Sequence, residues 1–189
     1  MSEREAERNR VSRLVGGVAV LAATGWQGVQ TVCSVGPDGL LALCYLANLL
    51  LGAGMLCGSG LCVGVGFGWV LIAWPLWLVD TLVVRHFSVS CAMFHTVGLI
   101  AGLSALREVR VPRGIAWVAI PTGLAFFLLA RWLTDPSLNI NAAFHVQPGW
   151  NWAFPGLPES LGVQAVAYTL VFWYLPSLSR RVAAPRNRP

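Results

Sequence analysis

Phe87 to Leu106 reads FSVSCAMFHTVGLIAGLSAL, an apolar run with His95 near its middle and Cys91 four residues earlier. A run of that length can cross a bilayer, where no water satisfies an imidazole, so an ionisable side chain there is a functional candidate. The plainer alternative is a neutral histidine bonded to a neighbouring helix. The chemistry open to His95 is proton transfer. It can take the proton of a cysteine thiol, and the thiolate then attacks an acyl carbonyl. Cys44 and Cys91 are the two candidate nucleophiles. Cys91 shares a helical face with His95, whereas Cys44 comes from another apolar run and leaves room for substrate between helices. Against each stands the ordinary behaviour of free cysteine as a small hydrophobe.

Other polar residues fall near this pair. Asn48 either polarises a substrate carbonyl or hydrogen-bonds a neighbouring helix. Asp80 either pairs with Arg85 or Arg131, or orients His95 as the third member of a triad. Asn139, Asn141 and His145 lie in a long Pro/Trp-rich segment, residues 134–160, and are substrate-binding candidates or plain turn residues.

The elements that must position these residues follow from composition. Of 189 residues, 56% are hydrophobic and 11% charged, against about 25% charged in a soluble domain. The charges cluster between long apolar blocks, as loops alternate with membrane helices. The expected fold is all-α, a polytopic bundle of six transmembrane helices, with spans at about 14–35, 39–57, 61–84, 87–106, 115–133 and 161–178. Residues 1–13 and 179–189 are expected to be tails, the first a retained cytoplasmic segment and not a signal peptide. The third span contains Trp74-Pro75, where a kink is expected.

All thirteen basic residues are Arg, and eleven of them fall in the two tails and the 107–113 segment. That asymmetry places both termini in the cytoplasm, with only Arg85 and Arg131 on the other side. The net charge of +5 is explained by topology, which excludes nucleic acid as a partner and leaves membrane lipids. The nine Trp residues read as interfacial belts. Five cysteines fit no zinc spacing, so no metal or other cofactor is expected. Haem on His95 ranks last, because only His86 and His145 could supply the second axial ligand.

Direction fixes depth. At 1.5 Å per residue, Cys44 lies about 7 Å, Asn48 about 13 Å, Cys91 about 6 Å and His95 about 12 Å below the outer boundary. Asp80 and Arg131 end outward-running spans. The polar candidates therefore share the outer half of the bilayer, beneath the 134–160 loop.

Leu41-Ala42-Leu43-Cys44, the Gly-rich third span, Phe94-His95-Thr96-Val97-Gly98-Leu99 and Asn139-Ile140-Asn141 together resemble the YwaF-type integral membrane proteins of bacteria, over residues 38–178. Animal relatives of that family are transmembrane Cys/His lipid acyltransferases. The resemblance implies Cys44 as acyl-accepting nucleophile, His95 as base and Asn141 as a loop position of the family. It breaks at Ala42, where the family carries an acidic residue. The expected function is a lipid acyltransferase or acyl hydrolase in a bacterial inner membrane. The alternative is a membrane protein that binds or transports a small molecule or ion.

Overall fold

A computed structural model describes residues 3–84, 87–146 and 150–183 of the chain. Arg85 and His86, and the tail beyond residue 183, lie outside the described residues. The described chain is all-helical: α1 (Glu3–Ser34), α2 (Leu43–Cys57), α3 (Gly60–Val84), α4 (Val89–Ala105), α5 (Ala116–Leu133) and α6 (Leu157–Ala183), with short 3-10 turns at Pro37–Leu41, Pro136–Leu138 and Ile140–Ala142. Three of these helices are long and apolar enough to cross a membrane: Gly60–Val83, Ala116–Leu133 and Leu157–Val182. Helices α2 and α4 are apolar but shorter.

Several boundaries differ from the sequence expectation. Helix α1 extends back to Glu3, so most of the expected tail is helical. Acidic residues in its first turn suit the positive end of the helix dipole, and Ala and Arg are good helix formers. Helix α2 begins at Leu43 and not Gly39, because Gly36 at φ 98° and Pro37 start a separate 3-10 turn. Cys44 is therefore the second residue of its helix. Helix α2 closes at Gly58, in the left-handed region at φ 70°, with Ser59 N–H donating to the Gly54 carbonyl. Helix α3 continues as one helix through Pro75. Helix α6 begins at Leu157, before the expected Leu161, with Pro158 and Glu159 at its start.

Small residues let the helices approach closely. A Cβ built on Gly66 of α3 would lie 2.4 Å from the Ala47 carbonyl oxygen of α2, and one on Gly54 of α2 would lie 2.7 Å from the Val63 nitrogen of α3. Gly17 and Gly52 bring α1 and α2 together in the same way, and Gly102 receives Phe67 across α3 and α4. Without a hydrophobic drive between helices in lipid, such packing is what holds membrane helices together. The core sits here, around Leu51, Met55, Val63, Phe67, Trp69, Ala105 and Phe172.

The contacts sort into two ends. At one end Arg13 pairs with Glu108 at 3.8 Å and caps the last turn of α2 through the Met55 carbonyl, while Ser179 near the end of α6 bonds the backbone at Val109 and Val111. This is the terminal end, where the N-terminal part of α1 meets the C-terminal part of α6. At the other end Thr31 meets Tyr45, Leu43 meets Asn141, and Asp80 meets Trp150. This is the loop end. The N-terminal part of α1 and the C-terminal part of α6 thus belong to the same end.

The Trp residues divide. Trp117 and Trp132 stand 84% and 85% exposed near the two ends of α5, about 22 Å apart at helical rise, as belts at two interfaces would stand. Trp69 is buried, and Trp77 turns inward against His95. The belt reading therefore does not extend to Trp69 and Trp77.

Candidate functional site

Helices α2 and α4 both start at the loop end and end near Arg13 and Glu108, so they run parallel. Tyr45 packs on Phe94 with ring centroids 5.1 Å apart, and a Cβ on Gly98 would meet the Asn48 Oδ1 at 2.3 Å. These two contacts set the register. They bring Cys44 and His95 to within about 3 Å of the same level along the helix axis. Cys44 and Asn48 are one i,i+4 stripe on α2, and Cys91, His95 and Gly98 form the opposing stripe on α4.

Helix α3 lines the third side of this seam. The Trp77 ring lies nearly parallel to the His95 imidazole, with centroids 5.3 Å apart and 15° between planes. The Trp77 side chain also lies beside Cys91. Asp80 is near enough to act electrostatically on Cys91, and Cys91 on Cys44. Tyr168 of α6 stands within similar range of Cys44. The seam thus brings together Cys44, Asn48, Asp80, Cys91 and His95 among the residues singled out from sequence.

Not every expected partnership forms. His95 is 6% exposed and its Nδ1 has no hydrogen-bond partner. No hydrogen bond joins it to Cys44 or Asp80. The Asp80 Oδ1 instead accepts from the Trp150 indole at 3.2 Å. Arg131, proposed as a partner of Asp80, donates to the Ala143 carbonyl and lies over the Phe144 ring. Arg85, the other proposed partner, is outside the described residues.

Asn48 is 1% exposed and donates through Nδ2 to the Cys44 carbonyl at 3.0 Å. Its Oδ1 has no hydrogen-bond partner and rests against Gly98. Asn48 spends one of its two amide N–H donors on the backbone of its own helix and packs α2 against Gly98 of α4.

At the loop end, residues 134–146 and 150–156 make contacts across the chain. Asn139, at φ 45°, accepts from the Phe144 and His145 backbone N–H groups through Oδ1 and donates to the His145 carbonyl through Nδ2. Asp135 accepts from the Ser137 N–H, which lowers its carboxyl pKa below the ordinary value. Asn141 reaches across to α2. Its Oδ1 accepts from Leu43 N–H at 2.6 Å, and its Nδ2 donates to the Leu41 carbonyl at 2.9 Å. Leu43 N–H is one of the first-turn donors that a helix leaves unsatisfied, and the local N-cap, Ala42, has no side-chain acceptor. Asn141 supplies that cap from the far side of the chain, one residue from Cys44.

His145 is exposed, with its backbone held by Asn139, so its side chain does not enter the seam. Asn139 and Asn141 organise this segment and its joint. Sequence reasoning missed Trp77, Tyr45 and Tyr168. The i,i+3 spacing of Trp77 and Asp80 on one helical face was the available signal for the first. A shallow apolar recess along α6, lined by Ala165, Val166, Thr169 and Leu170, includes none of the seam residues. Among the described residues no group of three or more His, Cys, Asp or Glu side chains could hold a metal ion.

The chain matches no known family model, and neither curated proteins nor solved structures give a match.

Proposed function

We propose that the chain is a six-span protein of a bacterial inner membrane, with both termini cytoplasmic, and that its seam transfers acyl groups between lipids. The observation that carries this reading is the pair of facing stripes, Cys44–Asn48 and Cys91–His95, at one level near the loop end. Cys44 is the nucleophile. Its place in the first turn of α2 supports the role, because it sets the sulfur nearly level with His95 across the seam.

In the proposed reaction His95, whose Nδ1 has no hydrogen-bond partner, accepts the Cys44 S–H proton. The sulfur attacks the ester carbonyl carbon of a phospholipid, an S–C bond forms, and the C–O bond to glycerol breaks. The imidazolium returns its proton to the departing glycerol oxygen. A lysolipid hydroxyl, or water in a hydrolase, then attacks the thioester through the same base, and Cys44 leaves as the thiol. The cover tied by Asn141 and Trp150 keeps water from the thioester, and substrate enters when those ties open.

The test is acyl exchange between a labelled phospholipid and a lysolipid in proteoliposomes. Cys44→Ala and His95→Gln should each reduce exchange at least 100-fold, while Cys91→Ala should retain it. If Cys91→Ala is inactive and Cys44→Ala is active, the assignment of the nucleophile is wrong. A saturable flux of a small solute that survives Cys44→Ala would favour the transport alternative, which the unpaired polar atoms of the seam also suit.

A further inference from the structure

We infer that the terminal end of the bundle holds a second, non-catalytic lipid site, in which Arg110 and the Arg180–Arg181 pair bind the phosphate of an anionic phospholipid headgroup. Ser179 is fully buried; its Oγ accepts from Val111 N–H at 3.2 Å and faces the Val109 carbonyl at 3.4 Å. Arg110 is therefore fixed on both flanks by the residue that immediately precedes Arg180. The joint brings the backbone at the exposed Arg110 beside that of the exposed Arg180, and the Arg180 Nη2 is further steadied by Ser177 Oγ at 3.1 Å.

Charge and surroundings identify the ligand. Within residues 107–113 and 179–183, Arg107, Arg110, Arg113, Arg180 and Arg181 stand with a single carboxylate, Glu108, which already faces Arg13 at 3.8 Å. The excess is positive and calls for an anion, and a guanidinium fork fits phosphate oxygens better than a point charge would. Exposed apolar side chains adjoin the cluster directly: Trp117 one turn beyond Arg113, and Leu178 beside Ser179. A ligand seated here meets an anionic-binding rim on one side and a lipid-facing surface on the other. A phospholipid has that division and a nucleic acid or acidic peptide does not. The site lies at the opposite end from the Cys44 seam and does not depend on acyl transfer.

Native mass spectrometry of the detergent-purified chain, titrated with phosphatidylglycerol or phosphatidylcholine, tests the site. Phosphatidylglycerol should bind preferentially, and Arg110→Gln combined with Arg180→Gln should weaken it about 30-fold, at about 1 kcal/mol per Arg. Arg4→Gln combined with Arg8→Gln removes equal charge from α1 and should change binding less than threefold. Inorganic phosphate at millimolar concentration should not displace the lipid. Equal weakening by the α1 pair would overturn the site in favour of diffuse attraction, and full displacement by inorganic phosphate would overturn the lipid as its ligand. Equal binding of the two lipids would overturn it outright.

Discussion

His95 stacks on Trp77, while Asn48 on the opposing stripe fills the notch left by Gly98. Gly98 is where this arrangement is most easily broken. Gly98→Ala places a methyl at 2.3 Å from the Asn48 Oδ1, and overpacking of this kind costs roughly 1–3 kcal/mol. The melting temperature in detergent should fall, and adding Asn48→Ala should recover part of the loss, because the blocking atom is then gone. A double variant no better than Gly98→Ala would mean that the strain lies elsewhere. At this scale the sequence was informative about level and not about partners. Helical rise along oriented spans brought Cys44, Asn48 and His95 to one layer. Asp80 bonds Trp150, 70 positions away, and nothing in local spacing announces such a pair.

The element with the largest consequence is the cover between α5 and α6. Its attachment to α2 rests on Asn141, whose backbone at φ 58° tolerates the left-handed region better than most residues. Asn141→Ala should cost about 1–2 kcal/mol, as loss of a helix cap does, and should raise hydrogen exchange at Leu43 and across 139–146 while leaving α3 protected. Unchanged exchange at Leu43 would remove Asn141 from this role. The sequence marked residues 134–160 as one loop, but its two 3-10 turns and its cap on α2 come from tertiary contacts. Helix α1 was underestimated for a related reason: charge ends a membrane span without ending a helix.

The joint at the other end gives a pH prediction. Burial holds the Glu108 carboxyl above its ordinary value, and Arg13 offsets this only in part. The folded state then keeps the proton longer than the unfolded chain does. Stability is highest below the ordinary carboxylate pKa and falls as pH rises through the raised one. Glu108→Gln should flatten that fall in a series of melting curves across the carboxylate range. A slope unchanged by the substitution would assign the pH dependence to another group.

For the whole molecule, the two ends make opposite predictions for Cys33 and Cys57, both exposed and at opposite ends of the bundle. In single-cysteine proteins in intact cells, a membrane-impermeant maleimide should label Cys33 and reach Cys57 only after lysis. Labelling of Cys57 before lysis would reverse the orientation. The all-helical fold was legible because apolar blocks and Arg clusters alternate. The close packing of α2 and α3 was less so, since glycine spacing does not say which helix it faces.

In the proposed reaction Cys44 carries the acyl group. The most direct measurement is the intact mass of the protein after incubation with phospholipid, followed by peptide mapping. An acyl adduct that is labile to hydroxylamine, maps to Cys44 and disappears in His95→Gln is the expected result. An unmodified Cys44 beside measurable acyl transfer, or an adduct on Cys91 alone, would contradict it.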